Sequence, residues 1–402
     1  MNHRERVLTA LQHKEPDRIP IDFGGTRVSS IMAVTYAKLR RHMGMDQGRI
    51  RVDGPAQIVI EMEEDIRKTF GGDVVFIAHE PLQWRQGRLV DGTPAELPAR
   101  FLPRLREDGS EVISGDDGNI SLMRPSEGHW FDIVHPPLAT AIHEDEIEAR
   151  LDIIQNFDTP EYHDAPYEAL GQKARDLYEN TDYLLAGQFA GRMFQAAQFL
   201  RGWDRFLMDL IVEPKLAQAL LEKLAEANIQ RFEHWAKTVG PYVQVVVFED
   251  DLGMQDRPLL KPELYRKIVK PYHQRLYHFA KTHFDGYLML HTDGFVSPFI
   301  PDFIEMGIDI LNPIQISAIG MDTRDLKQEF GKDIVLWGGG CDSQNILPFG
   351  SPEEVKQEVR CRIEDLAPGG GYVFSAVHNI QSEVPPENII AMFEAAQEYG
   401  VY

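Results

Sequence analysis

Cysteine is nearly absent. The 402 residues hold only Cys341 and Cys361, which excludes a disulfide framework and points to a reducing compartment. No apolar run reaches the roughly eighteen residues a membrane helix needs. The opening "MNHRERVLTALQHKEPDRIP" also lacks the apolar stretch of a secretory signal. The expectation is a cytoplasmic protein without a membrane span. Positive charge is in deficit as well: 41 Lys and Arg stand against 63 Asp and Glu, a net charge of -22. Such a surface repels phosphate backbones and anionic lipid, so neither nucleic acid nor a membrane is an expected partner. No G-x-G-x-x-G follows an early strand, which removes the main support for a dinucleotide-binding, doubly wound sheet. Low-complexity tracts and solenoid-length repeats are missing too.

What is present is an alternation. Short apolar runs stand at "IPIDF" (19–23), "DVVFIA" (73–78), "YLLAGQF" (183–189) and "VQVVVFE" (243–249), then at "YLMLH" (287–291), "IDILNP" (308–313), "IVLWGG" (334–339) and "YVFSAV" (372–377). Helical patterns separate most of them. In the clearest, residues 214–240, Leu216, Leu220, Leu224, Ile229 and Phe232 share a face, Pro214 suits the first turn and Gly240 the end. Continuous apolar strands between helices predict a parallel sheet with helices outside. Eight such units predict an α/β fold of the (β/α)8 TIM-barrel type, with residues 1–402 as one domain. Val7, Leu8 and Leu11 predict a helix before the first strand. Residues 84–135 break the rhythm. Asp91-Gly92, Asp108-Gly109 and Asp117-Gly118 separate short alternating runs there, so a small antiparallel β insertion is predicted after the second strand.

In a barrel the chemistry gathers where strands end. Asp22 ends the first predicted strand, His79 and Glu80 the second. Gln188, Arg192 and Gln195 lie at the third, and Glu249, Asp250 and Asp251 at the fourth. His291 and Asp293 end the fifth, Asn312 and Gln315 the sixth, Cys341 and Asp342 the seventh, His378 and Asn379 the eighth. Imidazole, carboxylate and thiolate are the groups that bind zinc and related metals. Taken singly, each has an ordinary explanation: His291 as a hydrogen-bonded core histidine, Asp293-Gly294 as a turn, Cys341 as a small buried hydrophobe. Together, at successive strand ends, they predict a metal site drawing on His291, Asp293, Cys341 and His378. His79, Gln188, Asn312 and Gln315 are candidates to contact substrate. Phe189, Phe199 and Trp203 would suit an aromatic wall.

The opening "RERVLTALQHKEPDRIPID" resembles the start of the uroporphyrinogen decarboxylase superfamily. So do "DGFVSPFIPDFIEMGIDILNPIQ", "GKDIVLWGGGCDSQ" and "LAPGGGYVFSAVHNIQSEVPPENI" in the C-terminal third. The resemblance implies a (β/α)8 fold and one of two activities: cofactor-free decarboxylation of uroporphyrinogen, or zinc-dependent methyl transfer involving a corrinoid. The decarboxylase's arginine-rich segment is reduced here to Arg27, and His79 and Glu80 stand where its aspartate is expected. The thiol-acting methyltransferases hold zinc by His-x-Cys after the fifth strand and a late cysteine. This chain has His291-x-Asp293 and His378 in those places, and Cys341 is a further candidate that the resemblance does not require. A harder, oxygen- and nitrogen-bound metal suits an O-methyl donor. The expected activity is therefore methyl transfer from a small O-methyl donor to the Co(I) corrinoid of a separate protein, with zinc bound and Glu249 or its neighbour Asp251 acting as a catalytic acid or completing the metal shell. No D-x-H-x-x-G motif is present, so the corrinoid would come on a partner protein; a second copy of the chain is a further candidate partner. The alternatives are a metal-dependent lyase or hydrolase or a uroporphyrinogen-type decarboxylase on the same barrel, and a metal-free small-molecule binding protein.

Overall fold

The computed structural model describes the chain outside residues 46–47, 90, 115–119, 129, 142 and 158–164. Seven parallel strands form its main sheet: Val74–Ile77, Leu184–Ala190, Val245–Glu249, Tyr287–His291, Ile310–Asn312, Val335–Trp337 and Tyr372–Val373. Each pairs in parallel with the next in chain order. That order never reverses, which excludes the doubly wound alternative.

The predicted first strand, 19–23, is the one that differs. It forms no regular strand, yet it occupies the eighth place. Phe374 donates its N–H to Pro20 O at 2.9 Å, Asp22 N–H donates to Phe374 O at 2.8 Å, and Asp73 N–H donates to Ile21 O at 2.7 Å. The segment therefore lies between the last strand and the first and closes the barrel. Its ladder is broken because Pro20 has no N–H to give and because Ile21 N–H goes to the Asp73 side chain at 2.8 Å.

Inside the ring, Val74, Leu184, Ala186, Val245, Val247, Met289, Ile310, Val335, Trp337 and Val373 pack into one cluster. Val7 and Leu11 of the helix His3–Leu11 belong to the same cluster, so that helix plugs one end of the barrel. The helix starts where it does because Asn2 and Glu5 form a reciprocal cap. A larger apolar cluster fills the space between strands and helices. Its longest contributor, Pro214–Thr238, buries Leu216, Leu220, Leu224 and Phe232, as its spacing predicts.

The insertion is antiparallel. Trp84–Arg88 pairs with Pro94–Pro98 around Asp91-Gly92, where Gly92 has φ +83°. Arg104–Leu105, Glu111–Ser114, Ile120–Arg124 and Asp132–Ile133 form a second small sheet. Gly109, φ +81°, turns the first pair of that sheet. Asp117-Gly118 lies outside the described residues. Among the described residues no helix is long and apolar enough to cross a membrane.

Candidate metal centre

Strand register sets the floor of the site. Glu249 pairs with His291, and His291 pairs with Asn312. Three polar residues thus stand side by side at adjacent strand ends, in a row that the 4.7–4.9 Å spacing of strands permits.

From this row His291 reaches up to Asp293. Its Nε2 lies 3.8 Å from Asp293 Oδ2, and Nε2 of His378 lies 3.6 Å from the same oxygen. One ligand atom from each of the three residues falls within 4.8 Å of the others, and among the described residues this is the only such grouping of three or more. A tetrahedral centre with bonds of 2.0–2.1 Å separates its donors by about 3.3 Å, so modest contraction around an ion would complete it. The donor set fits: two imidazoles and one carboxylate are the pattern of catalytic zinc and of non-haem iron(II) sites with open positions.

Asp293 does not serve its own turn. The N–H groups there are taken by others: Asp293 N–H by Asp251 Oδ1 at 3.0 Å, Gly294 N–H by Gln315 Oε1 at 2.7 Å, Phe295 N–H by Met254 O at 2.7 Å. The turn is tight. Gly294 has φ +88°, and a Cβ on it would come within 2.3 Å of the Gly253 backbone. The carboxylate is left facing the two imidazoles.

Burial works against a charged imidazole at His291, but the carboxylates of Asp293, Asp251 and Glu249 outweigh it and raise the group above its ordinary value. Asp251 is pushed up, first by burial and then by the Asp293 carboxylate. Gln195 Nε2 donates to it at 2.6 Å. Glu249 goes the other way. Burial would raise it, but Arg192, His291 and Arg27 together hold it below the usual carboxylate range. Its two oxygens accept from Arg192 Nη2 and from Gln188 Nε2, the latter at 2.9 Å.

The remaining predicted site residues fall into place around this centre or away from it. Asn312 orients His291, its Oδ1 standing 2.9 Å from Nδ1. Gln315 supports the Asp293 turn. Gln188 bridges Glu249 to Arg27, whose Nη2 donates to Gln188 Oε1 at 3.0 Å. His79 packs beside Tyr167, with ring centroids 4.8 Å apart. Burial and the cations of Arg27 and Arg231 lower its pKa to about 4, so it is neutral at physiological pH.

Two expectations need correction. Cys341 is outside the cluster: it is fully buried and its Sγ faces Glu358 Oε2 at 3.3 Å. Burial and that carboxylate push its thiol well above the ordinary range, which works against the thiolate a metal requires. The aromatic wall does not form either. Phe189 packs at 5.0 Å on Phe232 and 5.5 Å on Phe248, inside the core. Phe199 and Trp203 line a separate groove of about 260 Å³ beside Asp132 and Ile133 of the insertion.

Sequence reasoning missed one network. Asp250 accepts from the N–H groups of Met193, Phe194 and Gln195 and from His273 Nε2. It caps the helix Phe194–Arg201, whose own first residues provide no side-chain cap. His273 sits mid-helix among aromatic residues, and no local pattern distinguishes it.

Comparison with known proteins agrees with this architecture. The family pattern "Uroporphyrinogen decarboxylase (URO-D)" matches residues 133–399. A uroporphyrinogen decarboxylase of Pseudoalteromonas translucida is 28% identical over 195 residues, covering 47% of this chain and 50% of that protein. One from Vibrio campbellii is 28% identical over 244 residues, covering 57% and 62%. The chain thus spans about half to three-fifths of the length of these curated relatives. Among solved structures, a methyltransferase from Methanosarcina mazei superposes over 99% of both chains with a TM-score of 0.59 at 17% identity, a likeness of fold. With two thirds of its length matched by the family pattern, this chain belongs to the uroporphyrinogen decarboxylase family.

Proposed function

We propose that the protein is a metal-dependent methyltransferase that moves a methyl group from a small O-methyl donor to the Co(I) corrinoid of a separate protein. The observation that carries this reading is the convergence of His291, Asp293 and His378 on one point at the barrel mouth. A divalent metal held there would supply Lewis-acid polarisation of the donor's ether oxygen. In the overall transfer the C–O bond breaks with its electron pair staying on oxygen, the methyl bonds to the Co(I) nucleophile, and the oxygen takes a proton.

The chain's own groups divide that work. Glu249 is committed to Arg192 and Gln188, so it holds negative charge behind His291 and keeps Arg192 in place. Asp251 accepts from Asp293 N–H and Gln195 Nε2, but burial and the Asp293 carboxylate push its carboxyl up where that of Glu249 is held down, so Asp251 is the one to deliver the proton to the leaving oxygen. Arg27, which donates to Gln188, also lines a cavity of about 760 Å³, within the usual size range for small-molecule sites. Zinc is the metal this reading favours.

Anaerobic mixing of the protein with a Co(I) corrinoid protein and a panel of methyl ethers tests the proposal. Methyl-cobalt absorbance that depends on His291 supports it; none across a broad panel, with metal bound, sinks it. The curated relatives favour a second reading, decarboxylation of uroporphyrinogen. Release of CO₂ from that substrate by metal-free protein would establish it.

A further inference from the structure

Each candidate imidazole is turned by an asparagine, and a backbone carbonyl anchors each asparagine, directly for Asn312 and through Gln381 for Asn379. A backbone carbonyl can only accept a hydrogen bond. Asn312 therefore gives its Nδ2 to Trp337 O at 3.1 Å, which leaves Oδ1 on the side of His291, 2.9 Å from Nδ1. A carboxamide oxygen also only accepts, so His291 carries a proton on Nδ1. In the neutral ring the lone pair is then on Nε2, the atom 3.8 Å from Asp293.

The same logic runs through His378 by a different route. Gln381 Nε2 donates to the backbone oxygen of Asn379 at 3.0 Å and to its Oδ1 at 2.6 Å. With Gln381 Nε2 held by that backbone oxygen, Asn379 presents its Oδ1 to Gln381 and to His378 Nδ1, the latter at 2.5 Å, while Asn379 Nδ2 and Gln381 Oε1 are buried without a hydrogen-bond partner among the described residues. Nε2 of His378 faces Asp293 at 3.6 Å.

We propose that Asn312 and Asn379 are the positioning residues of the metal centre. They set both imidazoles as Nδ1–H tautomers and aim the two Nε2 lone pairs at one point. As neutral acceptors they also leave those rings less basic than carboxylate partners would, which keeps a bound metal electron-poor. The proposal rests on reading His291, Asp293 and His378 as ligands.

Two measurements separate the proposal from that underlying reading. In chelator-treated protein with ¹⁵N-labelled histidine, held at alkaline pH so that the His291 ring, whose pKa is raised, is neutral, long-range nitrogen–proton spectra report each tautomer, with His291→Gln and His378→Gln assigning the signals. Both rings are expected as Nδ1–H in the wild type, with His378 becoming a mixture in Asn379→Ala and reverting in Asn379→Asp. Competition for Zn²⁺ against a chromophoric chelator gives affinity. Asn312→Ala and Asn379→Ala are expected to weaken binding about 10–100-fold, while Asn379→Asp matches or exceeds the wild type and serves as the folded control. Nδ1–H rings in a wild type that binds no zinc would overturn the ligand reading, and the metal role of the asparagines with it. Wild-type zinc affinity in both alanine variants, or Nε2–H rings in the wild type, would overturn the proposal alone.

Discussion

The imidazole of His273 meets the carboxylate of Asp250 at 2.7 Å, with both side chains 1% exposed. Asp250 stands between Glu249 and Asp251 and caps the helix that follows Arg192. The pair ties the strand-end carboxylates to the helix layer. Asp250→Ala strands three helix N–H groups and an imidazole together, so a loss of about 3–5 kcal/mol is expected, the range for breaking a buried pair. Urea denaturation of the variant checks this; a change below about 0.5 kcal/mol would show that the network is dispensable.

Metal content is the direct check on the centre. Protein prepared without chelator is expected to carry about one equivalent of zinc or a similar divalent ion. His291→Ala and Asp293→Ala are each expected to lower this to under about a tenth, with the circular dichroism spectrum unchanged. Retention of full metal by both variants would place the ion elsewhere.

The two cysteines are expected to part company. Cys361 is exposed and Cys341 fully buried. A thiol reagent should modify one group in native protein and two after unfolding. Cys341→Ala should leave metal content unchanged, since its Sγ faces Glu358 and stands outside the ligand grouping. Loss of metal in that variant would return the thiol to the ligand set.

Acid should loosen the barrel closure. Burial alone would raise the Asp73 carboxyl, but His3, Arg18 and the Ile21 N–H hold it below its ordinary value. Arg6 Nη1 adds a hydrogen bond at 2.7 Å. A group whose folded pKa is depressed stabilises the fold above its unfolded pKa, about 3.9, and that contribution is lost as pH falls through the folded value. Thermal midpoints should therefore drop below about pH 4 in the wild type. Asp73→Asn should begin lower at pH 7, by about 3–5 kcal/mol, and show a shallower acid decline. Parallel curves for the two proteins would remove Asp73 from the account.

Much of this architecture is written in local pattern. Seven apolar runs become the seven strands because each is continuous, β-rich and bounded by turn residues, and the long helix follows the spacing of Leu216, Leu220 and Leu224. The run at 19–23 departs because one proline and one distant carboxylate, Asp73, break its ladder, and a carboxylate over fifty positions away leaves no mark in a short window. His291, Asp293 and His378 could be named from their strand ends, since a parallel barrel brings all such ends to one mouth.

Which of those strand-end groups meet was decided only by the folded chain. Cys341 and His378 follow adjacent strands, but one side chain turns to Glu358 and the other to Asp293. Asn312 and Gln315 read as substrate contacts, and that one also holds a ring and the other a turn came only with the fold. Sequence determines which chemical groups reach the mouth, because strand periodicity and strand ends are local properties. Which atom faces which depends on strand register, on backbone carbonyls from neighbouring strands and on space left by glycines, and those exist only once the barrel has closed.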